Sequence, residues 1–297
     1  MSKPLLHVFT LAIAALLAAC SPIKVLNALT PSSTFTKTSA IAYGDDPRQK
    51  LDVYRPAPAL ANAPVVVFFY GGSWNSGARE DYAFVGEALA SRGIVAVIAD
   101  YRLYPQVRYP AFLQDGARAV AWTHQHIADY GADPQQMYVM GHSSGAYNAS
   151  MLALDARWLK AVNLSPSMFK GWIGLAGPYD FLPIENKDVR PVFFFPDSPP
   201  ESQPINHVSH DAPPSLLIAS VSDTLVNPTR NTGGLAKKLR EAGVPVETFY
   251  VTKTNHATLV ASLAKPLRWL APVLDRVTAF IHATDPGAAS TRQASTP

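Results

Sequence analysis

Residues 137–145 read Met-Tyr-Val-Met-Gly-His-Ser-Ser-Gly, and this stretch decides the fold. The apolar run Met137–Met140 predicts a buried strand, and Ser144–Leu154 predicts a helix. Between them Gly141-His142-Ser143-Ser144-Gly145 fits the pattern G-x-S-x-G. A chain that turns sharply from strand to helix brings together the residues two places either side of the turn. Glycine at both places removes a collision between side chains. Such a turn lifts the Ser143 hydroxyl out of the sheet, beside the positive end of a helix. The register of the glycines selects Ser143 over Ser144, whose backbone N–H would face a developing oxyanion. The same residues in a different setting would be an ordinary tight turn, so the flanking elements carry the argument.

Outward from this turn, strands and helices alternate. Lys50–Tyr54, Val65–Tyr70, Ile94–Ala99, Trp172–Ala176, Ser215–Ser220 and Val246–Val251 read as further strands. Several are continuous apolar runs, as expected of strands covered on both faces. Helical spacing marks Tyr82–Arg92, Phe112–Tyr130 and Gly234–Ala242, each followed by a glycine at the stop position. Leu259–Ala283 is helical with breaks at Pro266 and Pro272. The alternation predicts an α/β domain, a mostly parallel central sheet with helices on both faces. Residues 177–214 interrupt the rhythm with nine prolines and the run Val192–Phe195. A stretch this long is read as an insertion near the site, a cap or pocket wall. Phe193–Phe195 within it suits an acyl pocket and core packing equally.

Before the helix Tyr82–Arg92, the strand ending at Tyr70 runs into Gly71-Gly72-Ser73-Trp74. Here the chain resembles the esterase/lipase branch of the α/β hydrolases, whose matching loop reads His-Gly-Gly-Gly or His-Gly-Gly-x-Trp. The stretches Leu51-Asp52-Val53-Tyr54, Asp100-Tyr101-Arg102-Leu103 and Gly131-Ala132-Asp133-Pro134 are similar to that family too. The resemblance covers about residues 40–283 and implies the α/β-hydrolase fold. It also implies an oxyanion hole formed by the N–H groups of Gly72, Ser73 and Ser144. This chain departs from the family with Tyr70 in place of His and Ser73 in place of the last Gly. Serine keeps the N–H the hole needs.

A serine hydroxyl needs a base to take its proton, and the base needs a carboxylate to hold its ring. In the resembled fold the order along the chain is Ser, acid, His. Of eight histidines, His256 in Thr254-Asn255-His256-Ala257 follows the last strand, where the fold places its base. Asp223, in the loop after Ser215–Ser220, is the expected acid; Asp180 is its competitor. Neither choice needs a metal or an organic cofactor. Ser167-Met168-Phe169-Lys170 matches S-x-x-K, but S-D-N and K-T-G partners are absent. His124 and His126 are two apart, the wrong spacing for a helical metal pair.

The chain's 297 residues, 48% hydrophobic and 16% charged, suffice for one large core. A net charge of +3 with no long basic run gives no reason to expect a nucleic-acid partner. One cysteine, Cys20, excludes an internal disulfide framework and a multi-cysteine zinc site. It follows an apolar stretch, Leu5–Ala19, and the residues Leu17-Ala18-Ala19. This resembles a bacterial lipoprotein signal, which implies lipid on Cys20 and membrane attachment. Ser21 in the next place implies a periplasm-facing outer-membrane protein. A plain signal anchor is the alternative. The expected organisation is a signal at 1–19, a tether at 20–39, the hydrolase domain at 40–284 and a disordered tail at 285–297. The expected activity is a serine carboxylesterase acting on small or aromatic esters through an acyl-enzyme. Arylformamidase-like amide hydrolysis and a non-catalytic, membrane-anchored ligand-binding module are the alternatives.

Overall fold

The computed structural model describes residues 22–284. The expected signal, Cys20 and the expected tail lie outside the described residues. Eight strands form one sheet in the order β1-β2-β4-β3-β5-β6-β7-β8. They are β1 (Phe35–Ala42), β2 (Lys50–Pro56), β3 (Ala63–Phe69), β4 (Val95–Ala99), β5 (Ala132–His142), β6 (Phe169–Leu175), β7 (Ser215–Ser220) and β8 (Val246–Val251). β1 pairs antiparallel with β2, and β2 antiparallel with β4. All other neighbours are parallel. Every residue of β3, β4 and β7 is buried, because helices cover both faces of a parallel sheet.

The principal helices are α1 (Pro22–Ala28), α2 (Ala83–Ala90), α3 (Ala111–His126), α4 (Ser144–Leu154), α5 (Ala156–Lys160), α6 (Gly234–Glu241), α7 (His256–Ala261) and α8 (Val273–Ala283). Among the described residues no helix is long and apolar enough to cross a membrane. Strand-to-helix connections leave the sheet at the carboxyl ends of its parallel strands. The loops after β3, β5, β6, β7 and β8 therefore meet along one edge, where this architecture places its ligands.

One expectation needs correction. The segment read as a tether contains α1 and β1. Ile23 and Leu26 pack against the core, and Asn27 Nδ2 donates to the Glu80 carbonyl at 2.6 Å. β1 escapes a periodicity search because it is a polar edge strand with an irregularity between Thr38 and Ile41. Its packing is one-sided, through Phe35 on Tyr54 with ring centroids 5.2 Å apart. Within the Pro-rich insertion, Val192 and Phe193 are buried while Phe194 and Phe195 are exposed. Phe193 packs on Trp74, Phe181 and Tyr147 as core. Phe194 and Phe195 lie under the Arg108 and Arg190 guanidinium groups instead.

Candidate active site

Ser143 sits between β5 and α4 with φ 55 and ψ −124, a conformation that a non-glycine residue rarely holds. The two flanking glycines have a direct steric reason. A Cβ on Gly141 would strike the Gly145 carbonyl, and one on Gly145 would strike the Phe69 carbonyl at the end of β3. The turn is thus wedged between its own helix and the neighbouring strand. Ser143 N–H donates to the Leu175 carbonyl at 2.9 Å, tying the turn to β6.

His256 opens α7. Asn255 caps that helix through a capping box with Thr258, which fixes the entry angle of the chain. The Ser220 hydroxyl donates to the Thr254 carbonyl and binds this loop to the end of β7. The Ser143 hydroxyl donates to His256 Nε2 at 2.8 Å, and His256 Nδ1–H donates to Asp223 Oδ2 at 2.7 Å. Asp223 Oδ1 accepts from the Leu225 and Val226 N–H groups, both at 2.9 Å. The carboxylate is therefore clamped on one oxygen and free to hold the imidazole with the other. Burial works to raise the Asp223 carboxyl, but the His256 bond and these two N–H groups outweigh it. The net shift is below the ordinary carboxylate value.

Asp180 makes no such contact. It holds Arg230 through Nε at 3.1 Å and Nη2 at 3.0 Å. The same Nη2 donates to the Leu182 carbonyl. The buried Asn231 side chain accepts from the Tyr179 and Asp180 N–H groups. Together these bonds fasten the start of the insertion to the segment after the Asp223 loop.

The oxyanion loop is tight: Gly72, Ser73 and Trp74 have φ of 135, 51 and 58. The Gly72 carbonyl accepts from the Asn75 and Ser76 N–H groups, each at 3.0 Å. Ser73 lines the same cavity as Ser143, Ser144 and His256. Gly72 is not among the residues that line it. The exchange of His for Tyr at position 70 has a structural answer. The Tyr70 hydroxyl donates to Asp100 Oδ1 at 2.7 Å and accepts from Arg48 at 2.8 Å. Its ring stacks between Tyr101 and Tyr82, with centroids 4.9 and 5.4 Å away. Asp100 also takes Arg79 Nη1 at 2.5 Å, and Arg79 Nε donates to Asp52 at 2.9 Å. The Leu51–Tyr54 and Asp100–Leu103 stretches thus anchor the loop.

The cavity above Ser143 measures about 340 Å³. Its lining includes the apolar Trp74, Phe181, Ile184 and Val189 and the polar Asp180, Asn227 and Arg230. The four apolar residues had no signal in the sequence beyond their place beside the glycine loop or within the insertion.

A sharp strand–turn–helix serine, bonded through histidine to a clamped aspartate at the edge of this sheet, defines an α/β hydrolase. The chain belongs to the BD-FAE family, whose model matches residues 51–239. Among curated relatives it is 29% identical over 268 residues to an isoprenylcysteine alpha-carbonyl methylesterase of Arabidopsis thaliana, covering 83% of this chain and 62% of that protein. It is 28% identical over 247 residues to an esterase of Mycobacterium tuberculosis, covering 74% and 56%. The chain spans less than two thirds of the length of either relative. A solved structure of esterase B from Lactobacillus rhamnosis superposes with a TM-score of 0.75 at 19% identity, covering 97% of this chain and 99% of that one. A truncated carbohydrate esterase from gut microbiota gives 0.72 at 18%, covering 86% and 98%.

Proposed function

We propose that the protein is a serine carboxylesterase acting on small or aromatic esters through an acyl-enzyme. The observation that carries this reading is the unbroken hydrogen-bonded chain from Ser143 through His256 to Asp223, opening onto the cavity. In the first step His256 Nε2 takes the hydroxyl proton as Ser143 Oγ attacks the ester carbonyl carbon. The carbonyl oxygen becomes an oxyanion, held by the N–H groups of Gly72, Ser73 and Ser144. The imidazolium then gives its proton to the departing alcohol oxygen, and the carbonyl reforms as an acyl-serine. Water repeats the sequence: His256 takes its proton, its oxygen attacks, and the proton returns to Ser143 as the acid leaves. Asp223 keeps His256 in the tautomer that accepts at Nε2 and stabilises the imidazolium.

Trp74, Phe181, Ile184 and Val189 suit a compact apolar acyl group. The esterase names of the relatives and structural neighbours agree with the reaction class. An intact relay disfavours a purely ligand-binding role. The test is hydrolysis of a panel of p-nitrophenyl esters by the protein beside its Ser143→Ala variant. The variant should lose about 10⁶-fold in kcat with its fold retained. Substantial activity in that variant would overturn the reading. For the envelope, we propose lipid attachment at Cys20, which a Cys20→Ser variant should abolish, releasing the protein from membranes.

A further inference from the structure

We propose that His142, the residue before the nucleophile, is a positioning residue that holds the catalytic base by its backbone. His142 is the last residue of β5, and only 5% of its surface is exposed. Its Nε2–H donates to the backbone carbonyl of His256 at 3.0 Å. The neighbouring Ser143 meets the side chain of the same residue, at Nε2. Residues 142 and 143 thus grip His256 at two points, one on its main chain and one on its ring. The elbow is wedged between its helix and β3 and tied to β6, so the grip ties the base to a constrained turn. The inference rests on the serine-hydrolase reading of the site.

Three further observations fit this role. The His142 and His256 ring centroids lie 4.9 Å apart, so the two side chains pack directly. With Nε2 donating, Nδ1 is the bare nitrogen, and it is buried with no hydrogen-bond partner. It faces the oxyanion loop: a Cβ on Gly71 would stand 3.0 Å from Nδ1 and 2.9 Å from the Ser143 Cβ. His142 therefore touches the loops of nucleophile, base and oxyanion hole together. The ring is held neutral. Burial pushes it down to about 3, and His256 pushes the same way, against the His256 carbonyl and Asp223. A neutral ring does not repel the imidazolium that forms beside it during acyl transfer.

The bond matters because small displacements of a base are costly: a shift of about 1 Å at a reacting group can cost on the order of 10²-fold. The experiment compares His142→Phe, which keeps a planar ring but no donor, with His142→Gln, whose amide reaches the same carbonyl. Kinetics on a short p-nitrophenyl ester are read with the rate of fluorophosphonate labelling and the melting temperature. The Phe variant should lose about tenfold or more in kcat, the scale of one buried hydrogen bond, with KM nearly unchanged. Labelling should slow in parallel. The Gln variant should recover most of the loss. Equal kcat in Phe and wild type, or equal losses in Phe and Gln, would overturn the proposal. If the Phe variant does not fold, the Gln variant decides alone: a loss in kcat beyond about tenfold overturns it. A wild-type protein that neither turns over esters nor labels would sink the underlying reading of the site.

Discussion

Two loops leave adjacent parallel strands and each carries an aspartate into the site region. After β6 comes Asp180, and after β7 comes Asp223. Their carboxylates live differently. The Asp223 side chain is fully buried, clamped by two backbone N–H groups and aimed at His256. The Asp180 side chain is 35% exposed and committed to Arg230. One loop therefore presents a charge to His256, and the other uses its charge as a mechanical fastening. What separates them is the partner each loop meets: β8 brings His256 beside β7, while the insertion folds Asp180 towards Arg230.

The sharpest way to break this comparison is to neutralise each aspartate in turn. Asp223→Asn keeps shape but cannot favour the productive tautomer of His256, and kcat should fall about 10⁴-fold. Asp180→Asn should keep kcat within a few-fold, since an exposed pair contributes only about 0–1 kcal/mol. Steady-state kinetics on one ester suffices. A large loss in the Asp180 variant with little in the Asp223 variant would exchange the two roles.

The difference between the loops was partly legible in the sequence. Chain order and strand position favoured Asp223 over Asp180, and the structure gives Asp223 the bond to His256. The elbow was legible because its motif is contiguous and lies between a strand and a helix, although the atom that Gly145 avoids is the distant Phe69 carbonyl. Strands β7 and β8 were read to their observed ends, β7 because a buried parallel strand is a nearly unbroken apolar run, β8 because β-branched and aromatic residues fill a half-exposed edge strand. What failed to show was structure that rests on distant partners. β1 earns its place by pairing with β2, and α1 by docking beside Glu80. Neither has a periodic signature strong enough to read alone. The insertion consists of short turns such as Arg190–Phe193 and Pro204–His207, with no regular repeat. Phe181 lies on the cavity wall and Phe193 beneath it, a division set by tertiary packing. His142 drew notice only as a filler of the motif, since its partner lies 114 residues away.

The fastening can be weakened without touching the relay. Arg230→Gln removes the charge, the bidentate contact with Asp180 and the bond to Leu182. Because the pair is half-exposed, the stability cost should stay under about 1 kcal/mol. The cavity wall at Asp180, Phe181 and Ile184 would gain freedom, so KM should rise by about two- to fivefold with kcat nearly unchanged. Equal KM values across a series of acyl chain lengths in variant and wild type would show that the latch does not shape the pocket.

The smallest expected effect concerns acid. The folded Asp223 carboxyl lies below its ordinary value, because its bonds to His256, Leu225 and Val226 outweigh burial. An unfolded Asp takes its proton near pH ~3.9. The stabilisation from these bonds is therefore complete above that pH, and it is lost as pH falls from there through the lowered folded value. Denaturant unfolding between pH 7 and pH 3 should show stability dropping at the acid end. Asp223→Asn has no carboxyl to titrate there, so its acid-end slope should be shallower than that of the wild type. Parallel curves for the two proteins would mean that the carboxylate is not held as tightly as its three contacts imply, and the contrast with Asp180 would shrink to one of position alone.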